Sequence, residues 1–105
     1  MGQCVIACYR PREGKEAELQ ALMHEHLPIL RSQGLVTDRK SIIMRAKDGT
    51  IVEVFEWESA EAIANAHANP VVQEMWARYN ECCFYECIGN LEEGKQMFSA
   101  FEPVN

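Results

Sequence analysis

A helix that spans a membrane needs about 18 consecutive apolar residues. The sequence has no apolar run of that length. The first ten residues, MGQCVIACYR, also lack the long apolar region of a secretion signal. Ile6 stands where a myristoylation motif requires Ser or Thr. We therefore interpret this stretch as the first strand, and we expect no membrane partner.

Basic residues are few and scattered. Lys and Arg together number 10 against 16 Asp and Glu, so the net charge is −6. Nucleic acids and anionic membranes both favour a basic patch on the protein that binds them. The charge balance therefore argues against a nucleic-acid partner.

The familiar catalytic motifs are absent. The chain has no Gly-rich phosphate loop, no nucleophile elbow and no HExxH metal motif. No CxxC pair occurs, and His24 and His26 are two residues apart, which places them on different sides of a helix. Nucleotide-dependent and hydrolytic functions therefore lack support, and we expect neither a metal nor a cofactor.

The cysteines number five, which is odd: Cys4, Cys8, Cys82, Cys83 and Cys87. An odd count without a secretion signal favours reduced thiols and a cytoplasmic protein. We expect these residues to behave as small buried hydrophobes. The alternative is redox chemistry at the vicinal pair Cys82-Cys83 together with Cys87.

The 105 residues predict a single α+β domain, 1–105, of ferredoxin-like βαββαβ order. Apolar periodicity and turn residues predict strands at 4–9, 38–47, 50–57 and 84–88, a helix at 13–33, and a second helix in two pieces divided at Asn69-Pro70. Ser59 and Asn69 are expected to cap those two pieces. Asp48-Gly49 predicts a hairpin turn, and Gly34 a helix end.

The first strand is apolar on both faces, because Cys4, Ile6 and Cys8 alternate with Val5, Ala7 and Tyr9. In the predicted antiparallel sheet, both helices cover one face and leave the other open. An open apolar face predicts a partner, and a second copy is the simplest one. We therefore expect a homodimeric α/β barrel. The tail, 92–105, is a candidate to pack on the partner subunit, with Glu92-Glu93 forming a solvated turn.

The segment 52–76, VEVFEWESAEAIANAHANPVVQEMW, resembles the antibiotic biosynthesis monooxygenase (ABM) family of dimeric α/β-barrel proteins. The resemblance lies in Trp57-Glu58-Ser59 at a strand end, Ala66-His67 on the following helix, and the break at Pro70. It extends over roughly residues 4–91. Its motifs specify fold more than activity.

The resemblance implies a small monooxygenase that oxidises quinols or polycyclic phenols without metal or flavin. The substrate then supplies the electrons, and the protein binds it in an apolar pocket and helps to remove a phenolic proton. Another branch of the family degrades haem with an Asn on the first strand and a Trp and an axial His on the second helix. The matching positions here are Ala7, Ala66 and Trp76, which argues against haem degradation.

His67 and His26 are the candidate catalytic residues. His67 follows a strand–helix corner, where an imidazole serves either as a general base or as a ring bonded to a backbone carbonyl. His26 lies on the apolar face of the first helix, where a polar ring either lines a cavity or finds a buried partner. Pro28, two residues further on, removes a backbone donor, which is expected to kink the helix.

The candidate substrate pocket consists of aromatic side chains on strands and helix stripes: Tyr9, Phe55, Trp57, Trp76 and Tyr85. The alternative is that they form ordinary core. Glu53 and Glu86 lie within strands, and an inward-facing carboxylate there is a further candidate base. Two functions follow: a cofactor-independent monooxygenase acting on a small aromatic or quinol substrate, or a non-catalytic dimeric module that binds a small ligand or only assembles.

Overall fold

The structure, a computed structural model, describes residues 1–105. Its elements are β1 (Gln3–Pro11), α1 (Glu16–Ser32), β2 (Ile42–Arg45), β3 (Ile51–Trp57), α2 (Ala60–His67), α3 (Pro70–Cys82), β4 (Cys83–Glu86) and β5 (Glu102–Pro103). Two short 3₁₀ turns, Ile88–Asn90 and Glu93–Lys95, lie between the last two strands. None of the helices is both long and apolar enough to cross a membrane.

The five strands form one open antiparallel sheet in the order β4-β1-β3-β2-β5. This confirms the α+β class predicted from the sequence. The longest pairing joins β1 to β3 and places Val5 opposite Phe55 and Ala7 opposite Glu53. Residues that face each other in this way share one side of the sheet, so the register decides which side chains meet the helices.

The two predicted helix caps are present. Ser59 accepts a hydrogen bond on its hydroxyl from the Ala62 amide, and α2 begins there. Asn69 accepts on Oδ1 from the amides of Val71 and Val72, and Pro70 occupies the first position of α3. These side chains satisfy amides that the first helical turn leaves unpaired.

Two glycines end elements as the sequence predicts. Gly34 follows α1 with a φ of +69°, and the next residue, Leu35, donates its amide to the Leu30 carbonyl. That pattern is a Schellman motif, which favours glycine at the left-handed position. Gly49 has a φ of +93° in the turn between β2 and β3, where the Asp48 carboxylate accepts from the Thr50 amide.

The main core lies between one face of the sheet and the three helices. Helix α1 is continuous through Pro28 and turns a buried stripe towards the sheet: Leu19, Leu22, Met23, His26, Leu27 and Leu30. Ala62 and Ala66 of α2 and Val72, Met75 and Tyr79 of α3 complete the helical side. Strand β3 contributes Ile51, Phe55 and Trp57 from the facing side.

The other face of the sheet is only partly covered. A second apolar cluster forms at one end, where Leu91 and Phe101 pack on Cys8 and Val52. Beyond that cluster the face exposes Ile6 and Ile42, each 56% accessible, and Phe84, 48% accessible. The tail therefore covers part of its own sheet, while Met97 and Phe98 stay almost fully exposed.

Three sequence-based expectations need correction. Strand β2 begins at Ile42 rather than at 38, and within the expected strand the Arg39 carbonyl accepts a hydrogen bond from the Arg31 side chain instead of from a neighbouring strand. Glu93 is buried rather than solvated, and its carboxylate accepts from the Lys47 amide. The tail adds an unpredicted fifth strand beside β2.

Candidate functional site

A pocket of about 450 Å³ opens between the sheet and the helices. Eleven residues line it: Val5, Ala7, Tyr9, His26, Phe55, Trp57, His67, Trp76, Tyr79, Asn80 and Tyr85. All seven site residues expected from the sequence are among them. The structure thus brings together side chains from β1, β3, β4 and all three helices, although the lining residues lie as far apart in the chain as Val5 and Tyr85.

His26 forms the closest polar contact at this site. Its Nδ1 lies 2.8 Å from Oε1 of Glu53, and both side chains are almost completely buried. The same Oε1 accepts a hydrogen bond from the Tyr9 hydroxyl at 3.2 Å. Since Oε1 acts as an acceptor, His26 is assigned as the donor through Nδ1. This leaves Nε2 as the ring nitrogen available to a molecule in the pocket.

Glu53 reaches this position because of the period of β3. It shares a sheet face with Phe55 and pairs with Ala7 on one side and Ile43 on the other. Its apolar neighbours hold that face against the helices, so the carboxylate is buried with them. The second oxygen, Oε2, is buried and has no hydrogen-bond partner in the protein. A buried carboxylate with one unpaired oxygen is costly, which makes this position unusual for a purely structural residue.

Aromatic rings surround the His26 imidazole. Phe55 lies edge-on at 5.2 Å between ring centroids, and Tyr79 lies at 5.5 Å. Tyr9 completes the set at 6.2 Å. These contacts fix the orientation of the ring and restrict water on its buried side.

The second histidine, His67, stands at the exposed end of α2. Its Nδ1 donates to the Ile63 carbonyl at 2.9 Å, because a carbonyl oxygen can only accept. The ring packs edge-on against Trp76 at 5.1 Å. In the neutral ring Nε2 is therefore the acceptor nitrogen. The expected bond to a backbone carbonyl is present, and the ring also lines the pocket; a role for His67 as general base stays a prediction.

The three tyrosines of the pocket are protonated at neutral pH. Burial raises the pKa of Tyr9 well above its usual value, and the nearby Glu53 raises it further. Burial also raises the pKa of Tyr79, and it raises the pKa of Tyr85 to about 12. Their hydroxyls are therefore neutral hydrogen-bonding groups rather than phenolate bases.

Sequence reasoning missed part of the lining. Tyr79 is not among the site residues expected from the sequence; it lines the pocket, and its hydroxyl donates to the Leu22 carbonyl. Asn80 is the next residue on α3, and no pattern in the sequence marked it. Val5 and Ala7 line the pocket as well, although neither is among the expected site residues.

Glu86, the other candidate carboxylate, does not belong to the pocket. It lies on the opposite sheet face, since it pairs with Cys8, and it contacts Arg10 at 2.6 Å. Hydrogen bonds from Asn90 and from the Cys87 amide lower the pKa of this carboxyl. Glu86 is therefore an ionised surface group.

The five cysteines are free and divide into two groups. Cys8, Cys82 and Cys83 are buried, whereas Cys4 and Cys87 are exposed. Burial raises the pKa of all three buried thiols, that of Cys83 to about 11. The thiols of the vicinal pair contact backbone carbonyls one helical turn back, at 3.2 Å each. A raised pKa lowers the thiolate fraction, which disfavours redox chemistry at this pair.

No cluster of three or more His, Cys, Asp or Glu side chains is arranged to hold a metal ion. Comparison of the chain with protein-family models, with curated proteins and with solved structures finds no match. The geometry of the pocket therefore carries the functional argument.

Proposed function

We propose that this protein is a cofactor-independent, monooxygenase-like enzyme that oxidises a small aromatic or quinol substrate. The observation that carries the proposal is the His26–Glu53 pair beside an aromatic pocket of about 450 Å³. Pockets of this size and apolar character suit small organic ligands. The likeness of residues 52–76 to the ABM family, noted from sequence, points in the same direction.

In the proposed reaction the substrate ring lies among the aromatic walls and its hydroxyl donates to Nε2 of His26. Glu53 accepts from Nδ1 and stabilises the imidazolium that forms when the proton transfers. The resulting phenolate is more readily oxidised by dioxygen than the neutral phenol. One oxygen atom then enters the ring and the other leaves as water, and the oxidation of the phenol to a quinone supplies all four electrons. His67 contacts the more exposed end of the bound substrate.

Oxygen uptake with a panel of quinols and hydroxylated aromatics tests this function. We expect His26→Ala to lower the rate by about 10²–10⁴-fold, the usual loss for a general base, and His67→Ala to lower it less. His24→Ala is a matched control, because His24 is exposed on the same helix and does not line this pocket. No uptake by the wild type, or unchanged uptake by both pocket variants, would remove the proposal.

For the assembly we propose a ferredoxin-like domain that dimerises through its open sheet face into an α/β barrel. Two features support this: the strand order β4-β1-β3-β2 and the exposed Ile6, Ile42 and Phe84 on one face. Sedimentation should report a dimer for the wild type and a monomer for Ile6→Glu. Val71→Glu alters an exposed apolar residue on α3 instead, and it should leave the dimer intact.

The five free thiols fit a reducing compartment, so we propose a cytoplasmic location.

The second candidate function is a non-catalytic dimeric module that binds a small apolar ligand. It is favoured by the lining, in which eight of eleven residues are hydrophobic. Native mass spectrometry of freshly purified protein distinguishes the two functions. A reproducible bound organic molecule without oxygen uptake supports the module, and rapid turnover of added substrate counts against it.

A further inference from the structure

The charge distribution around the pocket is one-sided. None of the eleven lining residues is Lys or Arg, and the two histidines are the only side chains there that can become cationic. The fully buried carboxylate of Glu53 lies 2.8 Å from His26. Carboxylate and phosphate ligands are usually held by Arg, Lys or a group of backbone amides. The lining has no Arg or Lys that would hold an anion.

We propose that Glu53 is a specificity-determining residue, which makes the pocket accept uncharged hydroxylated aromatic molecules and reject their carboxylated counterparts. This inference rests on the proposed site, but it concerns binding and not oxidation. Glu53 does not line the pocket, so it acts through His26 and through its charge.

Both protonation states of His26 beside Glu53 disfavour an anionic ligand. With Glu53 ionised beside a neutral His26, the buried charge is negative and repels an anionic group entering the pocket. With His26 protonated, its positive charge is already matched by Glu53, so a ligand carboxylate would be the second negative charge facing one cation. In both states an anion at His26 gives up its hydration without gaining a free cationic partner on that ring.

A neutral hydroxyl group of a ligand, in contrast, can form a favourable hydrogen bond with His26. Nε2 of His26 accepts its proton in a hydrogen bond, because Glu53 holds Nδ1 as the donor. The Tyr9 hydroxyl donates to the same Glu53 oxygen and so supports the carboxylate from the other side. The pair therefore favours ligands that donate a hydrogen bond and disfavours ligands that bring a charge.

Anaerobic calorimetry with three matched ligands tests the inference at pH 7. The ligands are 1-naphthol, 4-hydroxy-2-naphthamide and 4-hydroxy-2-naphthoate; the last two have the same shape and differ in charge. We expect the first two to bind with similar affinity and the carboxylate to bind at least about tenfold more weakly. Exclusion of oxygen separates binding from turnover.

The Glu53→Gln variant removes the charge at nearly constant shape. The gap between carboxamide and carboxylate should shrink to about threefold or less, whereas a merely structural defect would weaken all three ligands alike. Tyr9→Phe is the control: it removes the other hydrogen bond to Glu53 but keeps the charge, so the gap should persist.

Three results overturn the inference: equal affinity of the wild type for carboxamide and carboxylate, no binding of either neutral ligand, or an undiminished gap in folded Glu53→Gln. If that variant does not fold, the wild-type comparison decides alone. Binding of the naphthols without oxygen uptake would refute the proposed oxidation and leave this inference standing. Tight binding of the carboxylate would refute this inference and leave the proposed oxidation standing.

Discussion

Replacement of His26 by leucine is expected to lower the free energy of unfolding by about 2–3 kcal/mol, because the buried Glu53 acceptor loses its closest hydrogen-bond partner. The variant leaves the Glu53 carboxylate in place, with its side chain 0% exposed and its closest partner gone. The remaining hydrogen bond from Tyr9, at 3.2 Å, is worth only about 1 kcal/mol and cannot compensate. For a domain of this size, such a loss is a large share of the total stability.

A second substitution should reverse part of this loss. In His26→Leu/Glu53→Leu both polar groups are replaced by apolar side chains, and only the Tyr9 hydroxyl loses its acceptor. The double variant is therefore expected to be about 2 kcal/mol more stable than His26→Leu alone. Such a reversal has no explanation in lost packing, because the second change removes further native contacts.

Urea unfolding at one fixed protein concentration measures these differences, with the fluorescence of Trp57 and Trp76 as the probe. His24→Leu, on the exposed side of the same helix, should change the free energy by no more than about 0.5 kcal/mol. The reasoning is refuted if His26→Leu costs less than about 1 kcal/mol, or if the double variant is less stable than His26→Leu.

Three further predictions follow from burial and capping. The three tyrosines have raised pKa values, that of Tyr85 to about 12, so absorbance at 295 nm should show no phenolate near pH 10 in the native protein. The raised pKa values of the tyrosines stabilise the folded protein fully below the pKa of an unfolded tyrosine, about 10. This stabilisation is lost as the pH rises towards the pKa values in the folded protein, so the urea midpoint should fall over that range. Ellman's reagent should react rapidly with two thiols, Cys4 and Cys87, and with the other three only after denaturation; fast reaction of all five would contradict the burial. Asn69→Ala should destabilise by about 1 kcal/mol, because two amides of α3 lose their acceptor, and a change near zero would show that the cap is dispensable.

Most of the fold was predictable because local chemistry marks the ends of its elements. Ser59 and Asn69 cap helices where a side-chain oxygen follows a strand or a helix break. Gly34 and Gly49 adopt positive φ values where the chain must turn sharply. These signals act over a few residues, so they can be recognised without knowledge of the tertiary structure.

The corrected elements depend on contacts that are distant in sequence. Strand β5 consists of two residues and includes Pro103, so it carries no strand pattern of its own and pairs only because the tail returns to β2. Glu93 is buried because its carboxylate meets the Lys47 amide, 46 positions away. Neither partner can be identified from a sequence window.

At the site, the residue types could be predicted from the sequence, but the contacts between them could not. The aromatic residues and both histidines could be selected as candidates by their type and by the face of the element on which they lie. The contact between His26 and Glu53 could not, because it depends on the angle at which α1 crosses β3. The sequence did show that a carboxylate lay within a strand; which partner it would meet required the packed helices.

Ala7 connects this pairing to the pocket. It lies directly across from Glu53 in the β1–β3 register and also lines the cavity, with the larger Val5 and Tyr9 on either side of it on the same face. A methyl group at this position leaves open space above the buried carboxylate, and a larger side chain would fill it. The small side chain of Ala7 therefore contributes to the room beside His26 that the proposed substrate would occupy.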